Sequence, residues 1–315
     1  MKPLALFAAW ISVGASVLPA QEPTDPVSEE GTPVEGEDFR VFRADGSAAA
    51  FDDVLAGLDT VEVLLVGEEH GNRVGHRIEE ALLREAVERY RGSTRWLTLS
   101  LEMFERDVQY VLDEYLDGLI TETHFLDSAR PWEEYGVRYR PLIELARQEG
   151  MPVVAANAPR RYVNRVTREG PEALEDLGPL ARFFLPPLPY PGPSEAYRAQ
   201  WNEIMAAAMG DSTEAHAADR DYAGSENALQ AQALWDASMG HAITGALDVS
   251  PDRVVLHFAG SFHVERGTGI AERIEDYRPG TSVLSVVMTE VGEESPLQWD
   301  AEAYGGLADF VVLTR

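Results

Sequence analysis

The chain contains no cysteine. That excludes disulfides, thiolate ligands to a metal or a haem iron, and a lipid-bearing cysteine behind a secretory leader, so stability must come from the core. Lysine is almost missing as well: Lys2 is the only one, and arginine supplies the remaining permanent positive charge. With 26 Lys and Arg against 54 Asp and Glu, the net charge is −28. Such a surface repels phosphate backbones and anionic membranes, which excludes nucleic acid as a general partner. An anionic ligand would need a local arginine. Beyond Ala20 no stretch is apolar enough to span a bilayer, which takes roughly 20 apolar residues.

What is present begins with a segment that reads as an export signal. Met1–Ala20 has one charge at Lys2, an apolar run from Leu4 to Val17, and Pro19 before Ala20. An uncleaved anchor is the alternative reading. Residues 21–38 are rich in Pro, Glu, Gly, Ser and Thr and poor in large apolar side chains, as expected of a disordered acidic linker. Residues 39–315 then form one domain. The expected location is periplasmic or extracellular, in a soluble form without a lipid anchor and with no membrane span once the signal is cleaved.

Along that domain, short apolar runs alternate with helical spacing. Val61–Val66 reads as a buried strand that ends at Gly67, and Ile78, Leu82, Leu83, Ala86 and Tyr90 recur as on a helix. Residues 95–100 form a second strand ending at Leu101 and Glu102, followed by a helix after Phe104. Residues 152–156 form a third strand ending at Asn157, and a helix follows Pro159. Residues 253–259 and 282–288 are further strands, and 310–313 a last one at an edge. Between about 170 and 250 a proline-dense loop and two helices (Ser194–Met209 and Glu226–Leu247) read as a helical insertion covering a site. The fold class is therefore α/β: a mainly parallel sheet with helices on both faces and an insertion over the strand carboxyl ends.

Polar residues lie just past these strands. Gly67-Glu68-Glu69-His70, Glu102, Asn157 and Gly260-Ser261-Phe262-His263 would all emerge at one carboxyl edge, where open α/β sheets carry ligands and chemistry. Gly67 and Gly260 are read as sharp turns. His70, Glu102 and His263 are the candidate catalytic set, and equally the candidate metal ligands. Two imidazoles and a carboxylate suit a divalent cation, or acid–base work with one histidine as base, or a histidine on haem iron. Each histidine taken singly is more often structural; the set favours function. Glu68, Asn157, Arg160 and Asp236 are the candidate cofactor contacts. Glu68 and Asn157 have equal readings as a loop cap and a turn former, and Asp236 as a rim residue. His76 is expected on a solvated helix face, Glu69 exposed, and His257 in the core.

At these residues the chain resembles the ChaN-like haem-binding proteins. The matching blocks are Val66–His70, Leu101–Arg106, Ala156–Arg160, Gln232–Met239 and Ala259–Val264, in that order. The wider superfamily includes the Tiki metalloproteases, the TraB and PrgY proteins and the erythromycin esterases. The resemblance implies export, a part in haem or iron acquisition, and haem capture at a homodimer interface with a tyrosine among the iron ligands. It also implies that His70, Glu102 and His263 match the superfamily's active constellation, which holds a divalent metal in the Tiki proteins and a histidine-centred base in the esterases. A soluble haem-binding protein is the first expectation. A metal-dependent or histidine-based hydrolase, esterase or peptidase, is the alternative.

Overall fold

The computed structural model describes residues 31–211, 225–292 and 295–315. The expected signal (1–20), the linker as far as residue 30 and His216 lie outside the described residues. The rest of the linker is tied down locally: Arg77 Nη1 donates to the Gly31 carbonyl at 2.9 Å, and Asp38 Oδ2 accepts from the Val34 N–H at 2.8 Å.

The strands are β1 (Phe39–Arg43), β2 (Ala48–Ala49), β3 (Val63–Glu68), β4 (Trp96–Glu105), β5 (Val153–Asn157), β6 (Arg253–Gly260), β7 (Val283–Glu290) and β8 (Phe310–Thr314). They form one sheet in the order β2-β1-β8-β7-β3-β6-β4-β5. From β8 to β5 every pairing is parallel, while β1 runs antiparallel to β2 and to β8. Parallel strands buried on both faces read as continuous apolar runs, and β3 is buried at every position.

The helices that use those faces are α1 (Phe51–Gly57), α2 (Arg73–Tyr90), α3 (Gln109–Leu116), α4 (Glu122–Ala129), α5 (Tyr135–Arg138), α6 (Arg140–Glu149), α7 (Arg160–Glu169), α8 (Pro179–Phe183), α9 (Glu195–Asp211), α10 (Glu226–Leu247), α11 (Ile270–Tyr277) and α12 (Ala301–Tyr304). Leu64 and Val66 point to one face, where Ile78, Leu82 and Leu83 of α2 and Leu142 and Ile143 of α6 complete the larger core. Val63 and Leu65 point to the other, against Met239, Ile243 and Leu247 of α10 and Ile270 and Ile274 of α11. Each such side chain contributes about 1.5–3 kcal/mol on burial.

Helix α10 does more than cover a site. Ser225 caps it by accepting the Ala228 N–H. Its first half, through Ala231, Leu234 and Ala237, packs on Val163, Leu185 and Tyr190 of the 160–190 region, and its second half is part of the layer over the sheet. The last strand is not at an edge. β8 lies between β7 and β1, because Phe39–Arg43 pairs with it along its whole length. Two of those five residues are exposed arginines, Arg40 and Arg43, so the segment lacks the continuous apolar signature of the central strands.

Gly67, read from the sequence as a turn, is instead within β3. What it needs is space. A Cβ there would lie 2.9 Å from the Ser261 Cα and 3.2 Å from the Val264 Cβ, so the backbone carrying His263 rests against it. In a strand, alanine usually improves on glycine by about 0.5–1 kcal/mol. Here the sign should reverse: Gly67→Ala is expected to destabilise by about 1–3 kcal/mol through overpacking, measured by urea unfolding. An unchanged or higher midpoint would contradict the close approach.

Candidate functional site

Parallel register brings the distant motifs together. Gly67 pairs with Ala259 and Glu68 with Gly260, so β3 and β6 end side by side. On the other flank of β6, Leu101 of β4 pairs with Phe258. β4 does not stop at Glu102, where the apolar run ends in the sequence; it continues to Glu105, and its register with β5 slips between Leu101 and Glu105. Such irregularities re-aim side chains. Glu102, nearly buried, turns to β6, where its Oε2 accepts the Gly260 N–H at 2.8 Å. Its Oε1 lies 3.7 Å from His263 Nε2.

His263 is held from behind by α10 and α9. Its Nδ1 donates to Asp236 Oδ1 at 2.7 Å, and Asp236 Oδ2 accepts the Tyr197 hydroxyl. Gln232, one turn before Asp236 on α10, places its amide nitrogen 3.3 Å from His263 Nε2. That contact suits the neutral ring; the imidazolium would require the Gln232 oxygen instead. Burial opposes a charge on His263, yet the Asp236 and Glu102 carboxylates outweigh it and lift its pKa to about 9.

His70 enters from the loop after β3, with its side chain 49% exposed. Its Nδ1 donates to Glu68 Oε1 at 2.7 Å, and this bond to a carboxylate, more than the opposing desolvation, raises its pKa. Gly260 makes room for the ring: a Cβ there would sit 3.2 Å from His70 Cε1 and Nε2 and 3.6 Å from Glu102 Oε2. This glycine too has an ordinary strand-like backbone (φ −55°, ψ 141°), so close approach and not a turn is its role. The Trp132 ring stands edge-on to His70 at 4.8 Å between centroids.

A family model for haem-binding uptake proteins (Tiki superfamily, ChaN) matches residues 54–274. The chain belongs to the ChaN family. A solved structure describing cofacial haem binding to ChaN of Campylobacter jejuni superposes with a TM-score of 0.66 and 16% identity, covering 90% of this chain and 99% of that one. An erythromycin esterase in its open conformation gives a TM-score of 0.45 and 12% identity, covering 88% of this chain and 82% of its own. Among curated proteins, the chloroplastic RETICULATA-RELATED 5 of Arabidopsis thaliana is 25% identical over 227 residues, which is 67% of this chain. The chain spans only 28% of that relative's length.

In this member of the ChaN family, His70, Glu102 and His263 gather around Gly260, and Glu68 and Asp236 each hold one of the histidines. Asn157 is buried at the end of β5, where its Oδ1 accepts the Ala158 N–H at 2.9 Å, the turn-forming alternative. Arg160 is exposed at the start of α7 and forms no ion pair among the described residues. Arg106, leaving β4 at the same edge, also lacks a carboxylate partner among them, and burial holds its pKa below the usual value. His257 is a core residue as expected, bonded to Ser100 Oγ at 2.8 Å, with burial depressing its pKa to about 3.

Two lesser expectations fail. Glu69 is half-buried and its pKa is raised, chiefly by desolvation. His76 is buried, not solvated, because the first turn of α2 folds inward. There His76 Nδ1 lies 2.9 Å from Glu79 Oε2 and 3.5 Å from Glu68 Oε2. Burial and the Glu68 charge push Glu79 well up, whereas Glu68, although desolvated, is held low by His70, by the neighbouring Glu79 carboxyl, by His76 and by Tyr139. Tyr197 and Glu79 do not stand out in the sequence, and Tyr139 does so only as part of the aromatic cluster of Trp132 and Tyr135–Tyr139, which reads as packing. Only Gln232 carries a usable signal there, its spacing of one helical turn from Asp236. Among the described residues, the three groups with ligand atoms mutually within 4.8 Å are Glu68, His76 and Glu79; His70, Glu102 and His263 are not spaced that closely.

The raised pKa of His263 fixes a pH dependence. Folding gains from its charged form fully below its ordinary value of 6.5, and the gain is lost as pH rises from there through about 9. Asp236→Asn should lower the His263 titration midpoint by about one pH unit or more, read from its ring proton by NMR. A midpoint that stays put would show that Asp236 does not set the charge.

Proposed function

We propose that this protein binds haem at the carboxyl edge of its sheet, with His70 as an iron ligand. The observation that carries the reading is the ChaN family match over residues 54–274, a span that contains His70, Glu102, Asp236 and His263. The local chemistry supports it. A metal-bound imidazole commonly gives its other N–H to a carboxylate, and the bond from His70 Nδ1 to Glu68 leaves Nε2 with a lone pair on a half-exposed ring. Arg160 and Arg106 are cations at this edge that can meet propionates in an otherwise acidic protein.

The resemblance implies a tyrosine ligand, and three buried tyrosines are already engaged. The hydroxyl of Tyr139 is committed to Glu68, that of Tyr190 to the Gln230 carbonyl, and that of Tyr197 to Asp236. Export and a role in haem or iron acquisition belong to the same proposal and rest on the signal-like Met1–Ala20. So does a homodimer that shares the haem. No helix among the described residues is long and apolar enough to cross a membrane.

A hydrolase remains the second reading, favoured by one observation: a buried histidine oriented by a carboxylate, as in acid–base sites. The charge on His263 limits it. A ring with a pKa of about 9 is mostly cationic at neutral pH, which fits a proton donor or an anion contact better than a base.

Hemin titration of the purified protein should give a saturable Soret shift. His70→Ala should weaken binding by about tenfold or more, in the range by which ligand-shell changes alter metal affinity. Gly260→Ala should also weaken it by displacing the ring, and lowering the pH should weaken it because protonated His70 cannot ligate. A response that is unsaturable and equal in all three proteins would overturn the assignment. Turnover of ester or peptide substrates that is lost in His263→Ala would instead establish the second reading.

A further inference from the structure

Behind His70 lies a set of groups of which the haem reading uses only Glu68, through one of its oxygens. Glu68, His76 and Glu79 are 3%, 5% and 0% exposed, and they face one another. The His70 carbonyl fixes the tautomer: a carbonyl only accepts, so His76 Nε2, 3.1 Å from it, carries a hydrogen. His76 Nδ1 therefore turns to Glu79 Oε2 at 2.9 Å and Glu68 Oε2 at 3.5 Å. Glu68 Oε2 and Glu79 Oε1 are fully buried and have no hydrogen-bond donor among the described residues. Two carboxyl groups thus converge on one imidazole nitrogen, and a proton on that nitrogen would reach Glu79 Oε2 while leaving Glu68 Oε2 and Glu79 Oε1 unpartnered. A single shared proton would satisfy one contact and leave the others facing acceptor to acceptor.

We propose that Glu68, His76 and Glu79 form a buried site for a divalent cation of the Zn²⁺ or Mn²⁺ class, distinct from the haem contacts. The ligand atoms lie within 4.8 Å of one another; bonds of roughly 2.0–2.2 Å to one ion span at most about 4.4 Å, so loading would need no more than a small inward shift of the side chains. A double positive charge balances two carboxylates, and Glu79 can use both of its oxygens. The mixed nitrogen and oxygen donors favour Zn²⁺ or Mn²⁺ over Mg²⁺ or Ca²⁺, which prefer oxygen alone. The outer contacts have the form that metal sites use to orient their ligands: Glu68 Oε1 is bonded by His70 and by the Tyr139 hydroxyl, and His76 Nε2 by a backbone carbonyl. Because Glu68 bonds His70 as well, the ion would brace the haem-side imidazole from behind. Loading displaces any proton held by the carboxyl pair, so affinity should rise with pH.

The test uses the full chain, made without a polyhistidine tag or chelator, equilibrated with Zn²⁺ or Mn²⁺ alone, desalted and assayed by elemental analysis. About one equivalent is expected in the parent and in His263→Ala, with affinity at least tenfold weaker in Glu79→Gln. X-ray absorption of the Zn²⁺ form should show one imidazole in the parent, a measurement that needs no variant to fold. No retained ion, or full affinity in Glu79→Gln, would overturn the proposal. So would loss in His263→Ala with two imidazoles in the spectrum, which would place the ion on His70 and His263. Failure to bind hemin would leave this result unaffected.

Discussion

The parallel pairing of β3 with β6, unbroken from Val63 beside Val255 to Glu68 beside Gly260, decides where every polar group at the site stands. Both strands are buried on two faces, so a slip of one residue would exchange their side chains between the two cores and carry Glu68 away from Gly260. Two glycines let the strand ends close on each other. Gly67 receives the backbone that carries His263, and Gly260 receives the His70 ring. The histidines, 193 positions apart by their numbers, meet because neither position has a Cβ.

Much of this was legible in the sequence. Continuous apolar runs such as Val63–Val66 and Val254–Ala259 are the mark of strands buried on two faces, and the residues just past such strands must emerge at one edge. The Glu226–Leu247 helix was readable to the residue, although its capping serine, Ser225, was not. Other features had no local signature. β1 is short and half-charged, and it becomes a strand only because β8 offers it an unpaired edge. The burial of His76 and Glu79 depends on Tyr139 and the α5–α6 region closing over the first turn of α2, a tertiary event. The role of Glu102 within a strand depends on a register shift that no spacing rule encodes.

The site brings charge of both signs into a strongly acidic protein. Glu68 and Glu79 on one side, and Asp236 and Glu102 on the other, are buried or nearly so, and each needs a positive or hydrogen-bonding counterpart. His263 supplies it on one side, bonded to Asp236 and near Glu102, and the two carboxylates raise its pKa. On the other, His70 and Tyr139 satisfy only one oxygen of Glu68. The two halves therefore differ in kind: one has each histidine-side carboxylate paired, the other leaves Glu68 Oε2 and Glu79 Oε1 without a hydrogen-bond partner among the described residues. Both bear on the orientation of the imidazoles around Gly260.

The central claim is that His70 and His263 share one ligand site at the carboxyl edge of the sheet. Histidine-selective NMR during addition of substoichiometric hemin tests it most directly, since the paramagnetic iron broadens nearby ring resonances. Joint broadening of His70 and His263, with the exposed His124 on α4 unaffected, is the result this account predicts. Broadening confined to His124, or of only one of the pair, would contradict it.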